Sequence, residues 1–133
     1  MAETTPKRVL VVDDDAELQE LVRVLLAHIG IETIAAETAA AAAQVLRHEP
    51  LPDLVLLDLM LPDVSGLELL RQMRSKKYFD KLPVIILSVL ADPEQIREGL
   101  NAGADRYITK PYISNNLTNV VLDVLRTGRR QND

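Results

Sequence analysis

The sequence predicts an α/β fold, a doubly wound parallel sheet with helices on both faces. Three unbroken apolar runs, rich in β-branched residues, predict buried strands at Val9–Val12, Leu54–Leu57 and Val84–Leu87, because strands covered on both faces have continuous apolar sequences. Between these runs lie segments whose apolar residues repeat with helical period. Strands that alternate with helices in this way form parallel sheets joined by right-handed crossovers.

Two shorter strands and five helices complete the alternation. The additional strands are expected at Ile31–Ala36 and Arg106–Thr109. The first helix carries an apolar stripe that begins at Leu18, with Asp15 as its N-cap and Gly30 as its terminator. The other four helices are expected over 38–48, over 65–74, from 92 onward with Asp92 as N-cap, and from 114 to near 128 with Ser114 as N-cap.

The composition indicates one cytoplasmic domain. The 133 residues carry 15 Lys and Arg against 20 Asp and Glu, for a net charge of −5, and they include no Cys. The absence of Cys excludes thiol nucleophiles, disulfides and Cys-based zinc sites. The acidic balance argues against a nucleic-acid interface in this chain. No apolar run reaches the ~18 residues of a membrane helix, and the N-terminus lacks the apolar segment of a secretion signal.

Polar and charged side chains follow the predicted strands at the points where these end. In chain order they are Asp13, Asp14, Asp15, Asp58, Ser88 and Lys110. Each acid alone is ordinary as a turn former or a helix cap. Together they meet at one edge of the sheet, where neighbouring carboxylates need a cation to offset their repulsion. Oxygen ligands without Cys or His select Mg²⁺ or Mn²⁺.

The same residues suit phosphoryl transfer to a carboxylate. An aspartate can take up a phosphoryl group as an aspartyl-phosphate, and catalysis is then mainly positioning and charge neutralisation. Asp58 fits as the acceptor, with Asp13 and Asp14 on the metal ion. Lys110 and the Ser88 hydroxyl would contact phosphoryl oxygens. The five glycines never approach the GxGxxG spacing and no Gly-Lys-Ser/Thr is present, so a conventional nucleotide site is not expected.

These motifs resemble the receiver domain of two-component response regulators. The resemblance rests on VLVVDDD from residue 9, LVLLDLMLP from residue 54 with Gly66, VIILS from residue 84 and AGADRYITKP from residue 102. It implies a flavodoxin-like sheet with strand order 2-1-3-4-5. It also implies a receiver domain over residues 7–127, preceded by a disordered arm over 1–6 and followed by a tail over 128–133.

The resemblance assigns roles to individual residues. Asp58 is the implied phosphoacceptor, and Asp13, Asp14 and the backbone carbonyl of Met60 join it as ligands of Mg²⁺. Ser88 and Lys110 take the positions of the switch hydroxyl and the phosphate-binding lysine. The remaining assignments are the aromatic switch at Tyr107 and a cis peptide bond before Pro111.

The implied partners are a histidine kinase or phosphotransfer protein and an output protein. Phosphorylation would change affinity for the output protein through the face formed by helix four, strand five and helix five, and a homodimer through that face is a further expectation.

Three apolar positions depart from the family pattern. Val89 replaces a residue that is usually small, and Met60 and Leu90 stand where the family often has polar side chains that orient the hydrolytic water. Slow self-dephosphorylation is therefore expected. Two alternatives stay open: a receiver-like binding module that is never phosphorylated, and a phosphatase of the haloacid-dehalogenase type, with Asp13 as nucleophile and Asp15 as general acid.

Overall fold

The computed structural model describes residues 5–110 and 113–130, and the side chains of all of these except 113–115. Five parallel strands form one sheet in the order β2-β1-β3-β4-β5, which confirms the predicted α/β class and the strand order implied by the resemblance. The strands are β1 (Arg8–Val12), β2 (Glu32–Ala36), β3 (Leu54–Leu57), β4 (Val84–Ser88) and β5 (Arg106–Thr109). Most of the predicted arm, the last three residues of the predicted tail, and Pro111 lie outside the described residues.

A helix follows each strand, and each of the first four begins directly after the residue at which the sequence analysis starts it. They are α1 (Ala16–Ala27), α2 (Ala39–Leu46), α3 (Gly66–Arg74), α4 (Pro93–Asn101) and α5 (Ile113–Thr127), with a short 3₁₀ helix at Lys77–Phe79. Asp15, Thr38, Ser65 and Asp92 each accept a hydrogen bond from a backbone N–H in the first turn of the helix that follows. The helix α5 begins at Ile113, so Ser114 lies inside its first turn instead of before it. None of the helices in the described ranges combines the length and apolar character that a bilayer crossing requires.

The sheet separates two apolar cores. Consecutive residues of β1 point to opposite faces, and Val9 to Val12 are all at most 1% exposed. Leu10 and Val12 belong to the core that α2 and α3 cover, and Val9 and Val11 belong to the core under α1 and α5. Burial on both faces explains why this strand is an unbroken apolar run.

The amino edge of the sheet is closed by a cluster around Asp105. The Oδ1 atom of Asp105 accepts hydrogen bonds from Arg129 Nε at 2.8 Å and Arg130 N at 2.7 Å, and Oδ2 accepts from Val84 N at 2.9 Å and Arg74 Nη2 at 3.4 Å. Burial and the nearby charge of Arg129 lower the pKa of Arg74 to about 10, so Arg74 is still charged at neutral pH. Arg129 and Arg130, which the sequence places in the tail, thus contact the body of the domain.

The strand register aligns the carboxyl ends of the central strands. Val12 of β1 pairs with Leu57 of β3, so the residues that follow them, Asp13 and Asp58, leave the sheet side by side. The backbone N–H of Asp58 donates to the Val12 carbonyl at 2.9 Å, which continues the sheet pairing by one residue. The aspartates are therefore placed by rigid strands and not by a loop.

Candidate functional site

Three aspartates form an acidic pocket at the carboxyl edge of the sheet. Asp13, Asp14 and Asp58 each offer a carboxylate oxygen, and these atoms all lie within 4.8 Å of one another. Asp13 is 1% exposed and Asp58 4%, whereas Asp14 is open to solvent. The pocket is therefore built on two buried carboxylates and is accessible from one side. The three predicted metal-binding carboxylates are together in the structure.

Lys110 lies against the two buried carboxylates. Its Nζ atom is 2.9 Å from Asp13 Oδ2 and 3.1 Å from Asp58 Oδ2. Burial lowers the pKa of Lys110, but the close contact with the Asp13 carboxylate and the charge of Asp58 outweigh it, so the pKa stands above its ordinary value. Lys110 is consequently a cation at neutral pH, and its single charge faces two carboxylates.

The surroundings of the Asp13 carboxylate indicate where the pocket could bind a further positive charge. Its Oδ1 atom accepts the Asp15 N–H at 2.9 Å. Its Oδ2 atom is buried and, among the described residues, receives no properly aligned hydrogen bond, although Lys110 Nζ is close by. The ion pair between Lys110 and Asp13 is therefore short but poorly aligned for a hydrogen bond. Burial raises the pKa of Asp13, and the Asp15 N–H and Lys110 offset this only in part. A buried carboxylate oxygen without an aligned donor, beside two other carboxylates, fits a divalent cation with oxygen ligands.

The backbone after β3 holds Asp58 in place. Asp58 Oδ1 accepts the Met60 N–H at 3.1 Å, and the Gly66 N–H donates to the Leu59 carbonyl at 2.9 Å. A Cβ atom on Gly66 would lie 2.1 Å from the Asp58 carbonyl oxygen. Glycine at 66 is therefore required for the first turn of α3 to approach the Asp58 backbone. The sequence analysis included Gly66 in the family resemblance but did not predict this close contact.

Gln19 supports the pocket from α1 and was missed by the sequence analysis. Its Nε2 atom donates to the carbonyls of Val11 at 2.8 Å and Asp13 at 3.0 Å, with Ala36 at 3.4 Å. These carbonyls belong to the ends of β1 and β2, so one amide fixes both strand ends. The only signal in the sequence is a polar residue beside the apolar stripe of the helix, which is too common to identify such a role.

Ser88 and Tyr107 are linked through the loop after β4. Ser88 is fully buried, and its Oγ accepts the Leu90 N–H at 3.1 Å. The Tyr107 hydroxyl donates to the Leu90 carbonyl. Burial raises the pKa of Tyr107, with a smaller contribution from the charge of Asp58, and the Ser88 hydroxyl acts in the opposite direction. The half-buried ring lies against α4 at Gly99, where a Cβ atom would be 3.3 Å from Tyr107 Cδ2.

The residues near Asp58 and Ser88 in sequence that depart from the family pattern are apolar, and two of the three are exposed to solvent. Met60, two residues after Asp58, is 57% exposed, and Val89, next to Ser88, is 58% exposed. Leu90 is partly buried against the core. The side chains at the departures from the family pattern therefore offer no polar group to the pocket.

Comparison with known proteins identifies a family. The family model described as the response regulator receiver domain matches residues 9–122. The phosphate regulon transcriptional regulatory protein PhoB of Pseudomonas aeruginosa is 38% identical over 120 residues, which are 90% of this chain and 52% of that protein. The DNA-binding response regulator MtrA of Mycobacterium tuberculosis is 39% identical over 110 residues, covering 83% and 46% of the two chains. The chain thus spans about half the length of the curated relatives it matches.

Solved structures agree with this match. A putative response regulator from Chloroflexus aurantiacus superposes with a TM-score of 0.85 at 30% identity, over 92% of this chain and 99% of that one. A CheY-like response regulator receiver domain protein from Methanospirillum hungatei has a TM-score of 0.81 at 32% identity, over 92% and 95%. Both likenesses extend over nearly the whole of the chains compared.

Proposed function

The chain belongs to the response regulator receiver family, and on that premise we propose that it is a phosphorylation-dependent signalling switch whose phosphoacceptor is Asp58. The donor would be a phosphohistidine of a histidine kinase or phosphotransfer protein. A carboxylate oxygen of Asp58 attacks the phosphorus atom, the P–N bond breaks, and its electron pair returns to the imidazole of the donor. The observation that carries the proposal is the buried pair Asp13 and Asp58, which share one lysine while Asp13 Oδ2 lacks an aligned donor.

Each residue of the pocket has a role in this reaction. Asp13, Asp14 and Asp58, with the backbone carbonyl of Met60, would hold Mg²⁺ or Mn²⁺. The bound ion supplies neutralisation of the negative charge on the phosphoryl oxygens. Lys110 now pairs with the Asp58 carboxylate, and after transfer it would pair with a phosphoryl oxygen. The Met60 N–H keeps Asp58 Oδ1 oriented, which leaves Oδ2 as the oxygen on the Lys110 side.

The response to phosphorylation would start at Ser88. In the structure, the Ser88 hydroxyl oxygen accepts the Leu90 N–H, and the Leu90 carbonyl accepts the Tyr107 hydroxyl. A phosphoryl oxygen that draws Ser88 toward Asp58 would break the first of these contacts and shift the loop that holds the second. Phosphorylation would thereby bias a two-state equilibrium of the α4-β5-α5 face. Output would follow as changed affinity for a partner protein or for a second copy of the chain.

The aspartyl-phosphate is expected to be long-lived. Met60, Val89 and Leu90 provide no side-chain donor or acceptor that could orient a water molecule for attack on the phosphorus atom. The chain is thus proposed to act as a cytoplasmic signalling protein and not as a turnover enzyme, with nucleic-acid binding left to other proteins or domains.

A phosphorylation assay tests the proposal. The protein is incubated with Mg²⁺ and a small phosphodonor such as acetyl phosphate, and its mass is followed; the matched control is Asp58→Asn. We expect a gain of one phosphoryl group that requires both Mg²⁺ and Asp58. A reaction that persists in Asp58→Asn but stops in Asp13→Asn would favour the phosphatase alternative. No modification, and no spectral change with beryllofluoride, would favour a module that is never phosphorylated.

A further inference from the structure

Asp63 joins the loop after β3 to the start of a different helix. Its Oδ1 atom accepts the Ala39 N–H at 3.0 Å, and its Oδ2 atom accepts the Ala40 N–H at 2.9 Å. These are the first two residues of α2, and Thr38 caps the next N–H, that of Ala41. The two backbone donors lower the pKa of Asp63, although the side chain is exposed. Both oxygens of an exposed carboxylate are thus engaged by a segment 23 and 24 residues away in sequence.

The loop that carries Asp63 has few other attachments. Residues 60–65 connect the proposed phosphoacceptor strand to α3, and their remaining hydrogen bonds in the described part of the chain are local. The Met60 N–H donates to Asp58, the Leu67 N–H donates to Ser65 Oγ, and the first turn of α3 donates to the Ser65 carbonyl. Met60 and Val64 are exposed, and Leu61 alone packs partly against the core. Asp63 is therefore the side chain that ties this loop to another element.

The start of α2, which donates to Asp63, is itself held close to Asp13. The helix α2 follows β2 directly, and the carbonyl of Ala36, the last residue of β2, accepts the Asp13 N–H at 2.9 Å. A loop held to the start of α2 is consequently held in register with the strand end that carries Asp13. The Asp63 carboxylate therefore joins the β3–α3 loop to the segment that is hydrogen-bonded to Asp13.

We infer that Asp63 is a positioning residue for the metal site: it holds the β3–α3 loop where the Met60 carbonyl completes the ligand set of Asp13, Asp14 and Asp58. This inference rests on the proposed function. Mg²⁺ requires near-ideal octahedral geometry, with ligands at ~2.1 Å. If the β3–α3 loop were released, the Met60 carbonyl would occupy the required ligand position for only part of the time. The protein would then bind Mg²⁺ more weakly.

The expected effect is set by the usual influence of groups that hold metal ligands. Asp63→Ala should weaken Mg²⁺ binding about tenfold, the lower end of the range for residues that orient ligands without touching the metal. Asp63→Asn keeps one acceptor for one of the two N–H groups, so it should lie between Asp63→Ala and the wild type. Neither variant removes a residue proposed to contact the ion.

The chain offers a matched control in Asp92. Asp92 is also exposed, also follows a strand at this edge of the sheet, and also accepts a backbone N–H at a helix start, that of Glu94 at 2.8 Å. Asp92→Ala therefore removes the same charge and the same kind of cap without releasing the β3–α3 loop. Any general loss of negative charge near the pocket appears in both variants.

The experiment is a calorimetric Mg²⁺ titration of the wild type, Asp63→Ala, Asp63→Asn and Asp92→Ala, with hydrogen exchange of amides 60, 61 and 63–65 measured without metal. The expected result is a Kd about tenfold higher in Asp63→Ala, less than twofold higher in Asp92→Ala, and faster exchange of the loop only in the Asp63 variants. Equal effects of Asp63→Ala and Asp92→Ala, or unchanged binding in folded Asp63→Ala, overturn the inference and leave the proposed function intact. A wild type that binds no Mg²⁺ overturns both. If Asp63→Ala does not fold, the comparison is decided on Asp63→Asn.

Discussion

Asp105 at the amino edge of the sheet and Asp13 at its carboxyl edge are both 1% exposed, but they are surrounded in opposite ways. Each oxygen of Asp105 accepts two hydrogen bonds, from two arginine side chains and two backbone N–H groups. Asp13 shares one lysine with Asp58 and keeps an oxygen without an aligned donor. Positive charge exceeds negative charge at the first cluster, and the reverse holds at the second.

This difference separates a carboxylate whose hydrogen-bonding capacity is filled by the protein from one that is open to a ligand. A buried charge that is fully hydrogen-bonded is compensated within the fold and has no capacity left for a ligand. A crowded, under-neutralised pair destabilises the fold but attracts a cation and keeps an oxygen free for chemistry. The receiver therefore carries both kinds of buried aspartate on one sheet, one at each edge.

The largest predicted effect is loss of the satisfied carboxylate. Asp105→Asn should lower the free energy of unfolding by about 3–5 kcal/mol, because removing one partner of a buried ion pair leaves the other charges and donors unpaired. Urea denaturation measures the change. Asp13→Asn is the counterpart: it should raise the stability of the metal-free protein, since the burial that raises the pKa of Asp13 opposes its charged form. Equal destabilisation by the two substitutions would remove the distinction between the two edges.

The next effect concerns one arginine of the amino edge. Arg129→Ala should lower the free energy of unfolding by about 1.5–3 kcal/mol, the range for hydrogen bonds to charged groups. Arg126 is the matched control, because its pair with Asp123 is exposed on α5, and Arg126→Ala should change stability by only about 0–1 kcal/mol. Urea midpoints of the two variants test the difference, and similar values would show that Arg129 does not brace this edge.

Glycine 66 tests how closely the carboxyl edge is built. Gly66→Ala should cost about 1–3 kcal/mol through overpacking against the Asp58 backbone, and it should also slow phosphorylation of Asp58. Gly128→Ala controls for stability alone: Gly128 has φ +79° and no atom near its absent Cβ, so alanine is strained there by about 1–2 kcal/mol. Urea denaturation and the rate of phosphorylation from acetyl phosphate are measured for both. Normal phosphorylation of Gly66→Ala would contradict the close contact.

The smallest effect lies at the rim of the pocket. Met60→Asn should hasten loss of the phosphoryl group about tenfold, equivalent to about 1.4 kcal/mol in the barrier, because a polar group would orient the attacking water. Val64→Asn adds the same amide to the same loop, farther from Asp58 in sequence, and should leave the lifetime unchanged. Release of phosphate after removal of the donor gives both rates, and an unchanged lifetime in Met60→Asn would show that the apolar side chain does not protect the aspartyl-phosphate.

Much of the pocket was predictable because the sequence of a buried strand shows where the strand ends, and parallel neighbouring strands end at the same edge of the sheet. An unbroken apolar run ending in acids, as in β1, indicates both a buried strand and carboxylates at its end. Once two such strands are parallel neighbours, Asp13 and Asp58 must emerge together. The motif AGADRYITKP added Lys110 through the family resemblance. The cis bond predicted before Pro111 lies outside the described residues and stays a prediction.

The contacts that the sequence did not reveal join residues distant in the chain. Asp105 reads as one acid in a motif, but its partners Arg74 and Arg129 lie 31 and 24 residues away. Arg129 itself was expected in a tail. In the sequence, Asp63 is typical of a turn residue after Pro62. Only the folded position of α2 places the N–H groups of Ala39 and Ala40 within hydrogen-bond distance of it. No periodicity or spacing encodes such pairs.

The amino-acid sequence by itself determined the α/β class, the N-caps of α1 and α4 and the residue types at the carboxyl edge of the sheet, because these follow from local hydrophobic period, turn chemistry and the direction of each strand. The tertiary structure decided which buried carboxylates are satisfied and which are not, since that depends on side chains supplied by other elements. Asp13 and Asp105 are both buried acids: Asp13 directly follows β1, and Asp105 directly precedes β5. Arg74 and Arg129 pack against Asp105 and satisfy it, whereas Asp13 shares Lys110 with Asp58 and keeps an oxygen available to a cation.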